Sequence, residues 1–129
     1  MSHFSRVQTK MTDAGCLHRA LVALNYQVRE NALVRGYVGR VESADFVVDP
    51  GGHYDIGFTR HKDGTFFVVA DWWGVQKDTG LREQDVLPKV NQRYAYEVIS
   101  NALAAQGFQL VHEHQGQDRS IQMTLRRWS

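Results

Sequence analysis

Residues 44–73 read ADFVVDPGGHYDIGFTRHKDGTFFVVADWW, three apolar runs separated by two polar strings rich in Asp and Gly. Asp49-Pro50-Gly51-Gly52 and His61-Lys62-Asp63-Gly64 are turn strings: proline presets φ, glycine supplies left-handed backbone, and aspartate bonds to its own main chain. They divide the run into three strands, Ala44 to Val48, Tyr54 to Thr59 and Thr65 to Trp72, and so predict an antiparallel meander. In the middle strand Tyr54, Ile56 and Phe58 alternate with Asp55, Gly57 and Thr59. One sheet face is therefore packed, and the other is open or lined by small groups. Phe66-Phe67-Val68-Val69-Ala70 is apolar at consecutive positions, which places it centrally or under a cover on its second face. A second copy of the chain is one candidate cover, because Phe66 and Phe67 point to opposite faces.

Outward from the meander, Phe4, Val7 and Thr9 make Ser2 to Met11 a strand. Thr12-Asp13 then caps a helix from about Asp13 to Leu24, with Leu17, Ala20, Leu21 and Leu24 as its apolar stripe and Asn25-Tyr26 as its close. Extended runs follow through Val28 and from Leu33 to Val41, where Gly36 and Gly39 suggest bulges. After Gly74, Val75 to Glu83 reads as a polar connector. A second helix runs roughly from Asp85 to Gln106, with Pro88 in its first turn and Gly107 as its stop. Leu87, Val90, Tyr94, Val98, Ala102 and Ala105 form its buried stripe, widened by Ile99 and Leu103. Phe108 to His114 and Arg119 to Trp128 form a closing hairpin. The expectation is one α+β domain over residues 1–129, a largely antiparallel sheet with two helices packed on one face. The strand, helix, strand opening should make a right-handed crossover.

Composition sets the outer limits. The 129 residues are 43% apolar and 22% charged, the globular range, and no apolar run approaches a membrane span. Fifteen basic and fourteen acidic residues leave a net charge of +1, so nothing forces a polyanionic partner. The start lacks the apolar stretch of a secretory signal, and the single cysteine, Cys16, fits a reducing, cytoplasm-like compartment. Cys16 sits inside the amphipathic helix and reads as core.

Candidate chemistry is scattered. His53 and Asp55 lie two apart on one strand and His112 and His114 on another, as metal ligands could, but both pairs also suit polar strand ends beside turns. Arg35-Gly36-Tyr37-Val38-Gly39-Arg40-Val41 opens like an RNA-stacking strand and departs after three residues, leaving a plain strand with glycine bulges as the better reading. Lys89, Arg93 and Glu97 recur at four-residue steps as a solvated helix face. Asp71-Trp72-Trp73-Gly74 is the densest oddity. Two adjacent tryptophans on extended chain face opposite ways, so one is core and the other packs under a loop or presents an anchor to a partner; Asp71 is placed to cap the turn, to bind an arginine or to serve as an acid/base, in that order.

Met1-Ser2-His3-Phe4-Ser5, Val34-Arg35-Gly36-Tyr37, Tyr54-Asp55-Ile56-Gly57-Phe58, Ala70-Asp71-Trp72-Trp73-Gly74-Val75 and Gln92-Arg93-Tyr94-Ala95-Tyr96 together resemble the hypothetical chloroplast reading frame thirty-five family. This is a small family of unknown function found in cyanobacteria and in some algal plastid genomes. The resemblance spans Met1 to Trp128, with the tail from His112 to Asp118 departing in residue choice. It implies no reaction, cofactor or catalytic residue, and it implies a plastid stroma if the chain is plastid-encoded. It also associates relatives with an AAA-class ATPase, a candidate protein partner.

The functional expectation is a non-enzymatic interaction module using Arg35, Tyr37, Asp71, Trp72, Trp73, Gly74 and Arg93. Two alternatives stand beside it. One is an RNA-binding domain using Arg35, Tyr37 and Arg40. The other is a small-ligand protein or enzyme using Asp55, Asp71 and a histidine, which requires those groups to converge.

Overall fold

The computed structural model describes residues 4–36, 41–115 and 121–127. The fold is α+β, with element order β1 (Ser5–Gln8), α1 (Ala14–Ala23), β2 (Val28–Arg35), β3 (Val41–Val48), β4 (Ile56–Arg60), β5 (Phe66–Ala70), α2 (Trp72–Thr79), α3 (Glu83–Ala105), β6 (Phe108–Gln115) and β7 (Ile121–Arg127). Strands β1 to β5 form one sheet in the order β1-β5-β4-β3-β2, antiparallel at every step. The closing hairpin β6–β7 is a sheet of its own. Strands β1 and β2 run parallel but occupy opposite edges, so the opening strand, helix, strand unit spans the whole sheet.

The meander forms as its turns predict, and its alternation builds the core. Phe46, Val48, Ile56, Phe58, Phe66, Val68 and Ala70 share one face and pack against Leu17 and Leu21 of α1, Val75 of α2 and Val86 and Val90 of α3. Helix α1 starts where expected: the Asp13 carboxylate accepts the Cys16 N–H at 2.9 Å. The Tyr94 hydroxyl of α3 accepts the N–H groups of Thr12 and Asp13 at 3.0 and 2.9 Å, tying that start to α3. Cys16 is buried, and burial pushes its thiol pKa up. Asn25, at φ 68°, closes the helix.

The second face of the sheet is covered by the chain itself. On β2 and β3 the even-numbered residues Val28, Phe46 and Val48 join the helix-side core, whereas Ala32, Val34 and Ala44, also even-numbered, join a separate cluster with Val47 and Phe4. Residues of one parity lie on one face of a flat ribbon. Here the ribbon bends at Asn31, which has φ 48°, and opposite it at Asp45; the pair is missing from an otherwise continuous ladder. The distal half folds back over β4. A Cβ at Gly57 would stand 2.5 Å from Val34 Cγ2 and 3.0 Å from the Ala44 Cβ, so glycine is what permits the approach. Val47 and Val69 are fully buried there, which supplies the second-face cover expected of the β5 strand.

The helical layer departs from expectation in three ways. Among the described residues there are three helices, because the supposed connector after Gly74 is largely α2, capped by Asp71 and ended by Gly80 at φ 77°. Helix α3 starts at Glu83, where the Asp85 carboxylate accepts the Arg82 N–H at 2.9 Å, so Pro88 falls in the second turn. The α3 stripe holds only in its first half: Val90 is buried and Leu87 and Tyr94 pack on the core, but Val98 and Ile99 are 38% and 47% exposed. A helix of 23 residues extends about 34 Å and overruns strands of five residues, about 17 Å long. Among the described residues no helix is long and apolar enough to cross a membrane.

Candidate functional site

Asp55 is fully buried at the start of β4. Arg35 donates its backbone N–H, Nε–H and Nη2–H to the carboxylate at 2.8, 3.1 and 2.9 Å, and Arg29 donates Nη2–H at 2.9 Å. The Asp55 N–H returns to the Arg35 carbonyl at 2.9 Å. Burial pushes the Asp55 pKa up, but the side-chain and backbone bonds from Arg35 and the bond from Arg29 outweigh it, and the carboxyl sits below its usual value. Arg29 and Arg35 are six positions apart on β2, too far along a straight strand for both to reach one carboxylate. The bend at Asn31 brings them together, and Asp55 in turn holds the folded half of the ribbon down.

The loop before β4 joins this cluster to α2. Arg35 Nη2 also donates to the Gly52 carbonyl at 3.0 Å and pairs with Asp49 at 3.0 Å. The next residue, His53, donates its N–H to Asp78 of α2 at 2.9 Å, and its ring Nδ1 lies 3.1 Å from the same carboxylate. The Tyr54 ring lies on Gly74, where a Cβ would come within 2.3 Å of it. Asp71 follows β5 as Asp55 precedes β4, and Ile56 pairs with Ala70, so the two aspartates leave the sheet at the same end.

Asp71 Oδ1 accepts the Gly74 N–H at 3.1 Å, the N-cap of α2. Its Oδ2 and the neighbouring Trp72 Nε1 are buried without a hydrogen-bond partner. The tryptophans open a helix rather than end a strand. They therefore diverge by about 100° around its axis instead of pointing to opposite faces. Trp72 packs on the core, while Trp73 is 50% exposed with Lys77 Nζ at 5.1 Å from its ring centroid.

The structure thus links Arg35 with Asp71, Trp72, Trp73 and Gly74 through one loop, and adds Arg29, His53, Tyr54 and Asp78, which sequence reasoning did not connect to them. Tyr37 and Arg40 lie outside the described residues. Arg93 stands apart: its guanidinium lies 4.1 Å from the Tyr96 ring centroid and 3.3 Å from Glu97, which also pairs with Arg19 of α1 at 3.6 Å. Of the expected solvated face Lys89 is exposed, whereas the Arg93 and Glu97 side chains are only 23% and 14% exposed. Arg35 and Val41 are register partners on antiparallel strands, so the ends of the run expected to be one strand belong to two, β2 and β3.

The metal reading is redistributed as well. His53 engages Asp78 and Asp55 engages the arginines, so the two do not form a ligand pair. The side chains of His112 and His114 lie outside the described residues. Among the described residues no three His, Cys, Asp or Glu side chains group as a metal would require.

The family described as "Protein of unknown function (DUF1257)" matches residues 20–124 of the chain. Three algal relatives, each named "Uncharacterized protein ycf35", match over nearly their full length. The protein from Guillardia theta is 33% identical over 130 residues, covering 99% of this chain and 98% of its own. Those from Cyanophora paradoxa and Pyropia yezoensis are 27% and 29% identical over 131 residues, covering 99% and 100% of this chain and 98% and 99% of theirs. No solved structure matches the chain.

Proposed function

The chain belongs to the DUF1257 family of proteins of unknown function, and from that premise we propose that it is a non-enzymatic module that docks on a protein partner through the corner around Trp73. The observation that carries this reading is a half-exposed tryptophan on a braced platform. Trp73 stands in the first turn of a helix held by the Asp71 cap, by Tyr54 on Gly74 and by the His53–Asp78 contact. A large aromatic side chain presented on an ordered element loses little freedom on binding, and tryptophan dominates interface energies. An AAA-class ATPase is the first partner class to try, and the cytoplasm or plastid stroma the compartment in which to look. One group of each rival chemical reading is already engaged within the protein. Asp55 is engaged by Arg29 and Arg35, and Arg35 by Asp55, Asp49 and Gly52.

The test is capture from a lysate of the native host with the full chain as bait, beside Trp73→Ala and, as a control on the far side of α1, Val22→Ser. A stoichiometric protein lost with Trp73→Ala and kept with Val22→Ser supports the reading. Equal capture by all three baits removes the docking site, and an eluate rich in RNA and free of protein replaces the reading with RNA binding.

A further inference from the structure

We propose that the hollow bounded by Gln27, Arg29, Arg35 and Asp49 binds an oxyanion, either a phosphomonoester phosphate or a carboxylate, with Arg29 as its principal contact. The site is separate from the docking surface at Trp73 and does not depend on it. The hollow measures about 360 Å³, which leaves room for such a group. The Arg29 side chain is 51% exposed, and among the described residues its one side-chain hydrogen bond runs from Nη2 to the buried Asp55 carboxylate. Its guanidinium is held at one edge, and its other N–H groups remain for the hollow. An arginine restrained in this way gives up less rotamer freedom on binding than a free surface arginine, and its planar fork matches a carboxylate or phosphate edge. Gln27 also lines the hollow.

Arg35 and Asp49 set the limits of the site. The Nε and Nη2 groups of Arg35 are spent on Asp55, Gly52 and Asp49. Asp49 is itself held by the Gly51 N–H at 2.8 Å, so its carboxylate stands at the rim as a resident anion and opposes a second one. Two arginines and two aspartates sum to zero charge. The hollow therefore exerts little long-range pull on polyanions and selects a ligand by direct contact with N–H groups.

The experiment is a titration of the full chain with inorganic phosphate and, in parallel, with acetate at constant ionic strength, read from the arginine Nε–Hε NMR resonances. The Arg29 resonance is expected to move saturably with at least one anion. Phosphate alone identifies a phosphomonoester as the ligand, acetate alone a carboxylate, and both together the geometry they share. Asp49→Asn, which leaves every Asp55 contact in place, is expected to tighten binding about fivefold, the effect of removing one unit charge at about 4 Å in a water-like dielectric. Arg29→Ala is expected to abolish saturation. The proposal is overturned by an Arg29 resonance that saturates with neither anion in the native and Asp49→Asn chains, by unchanged or weaker affinity in Asp49→Asn, or by saturable shifts elsewhere that survive Arg29→Ala.

Discussion

The two faces of the five-stranded sheet are closed by different physics. On the helix side, Phe46, Phe58, Phe66 and their neighbours meet the stripes of three helices, and the stabilisation is apolar area removed from water. On the other side the contacts are small, Val34 and Ala44 on Gly57 with Val47 alongside, and the cover is the sheet's own β2–β3 ribbon fastened by a buried ion cluster. A large apolar interface tolerates pH and salt. A fastening made by one buried carboxylate and two half-exposed arginines depends on the charge of that carboxylate. The front face should therefore be unconditional and the rear face conditional.

The largest test is on the front face. Phe58→Ala should cost about 4 kcal/mol in denaturant unfolding, nearly constant with pH, because it deletes a fully buried ring. A loss that varied strongly between pH 7 and pH 4 would collapse the distinction between the faces.

Arg35→Ala is the corresponding test of the rear face. It leaves the buried Asp55 carboxylate only Arg29 and the residue-35 backbone N–H, and should cost about 3 kcal/mol at neutral pH. The folded Asp55 pKa lies below its unfolded value of about 3.9, so its contribution is present above that pH and lost as pH falls through the folded pKa. In Arg35→Ala the Arg35 side-chain bonds that lower the Asp55 pKa are lost, and that pKa rises. The acid unfolding midpoint should move up, and the deficit relative to the native chain should shrink below about pH 4. A deficit independent of pH would mean that Arg35 acts by packing rather than by charge.

Gly57→Ala should cost about 2 kcal/mol by overpacking against Val34, which is itself buried. Amide exchange should quicken in residues 32–35 and 42–44 while β4 and β5 keep their protection. Uniform quickening across the sheet would show that the folded half of the ribbon is not a separable cover. Trp73→Ala should cost about 1 kcal/mol, the smallest of these effects, since half of its surface is already in water. A larger loss would make it a core residue and undercut its use as a docking probe.

Legibility followed the same division. The turns at Asp49–Gly52 and His61–Gly64, the α1 cap at Asp13 and the alternation through Tyr54–Thr59 are local signals, and each appears where the residues place it. Helix α2 was missed although its marks were present: aspartate at the cap and a left-handed glycine at the end. The adjacent tryptophans read as the continuation of an apolar strand and masked them. The α3 stripe was read too far because periodicity reports which residues share a face and not how long the opposing surface is.

Of the candidate site, Asp71, Trp72, Trp73 and Gly74 stood out as an unusual string. Their link to Arg35 did not, because it runs through the Gly52 carbonyl, the Tyr54 ring and a positive φ at Asn31. Sequence by itself determined the α+β class, the meander, the apolar face and the family. Tertiary structure alone decided that the β2–β3 ribbon folds back, that Asp55 gathers Arg29 and Arg35, and that Trp73 rather than Trp72 meets solvent. Hydrophobic periodicity and turn chemistry are properties of neighbours along the chain. The partner of a buried charge and the close approach of two backbones depend on segments that only folding brings together.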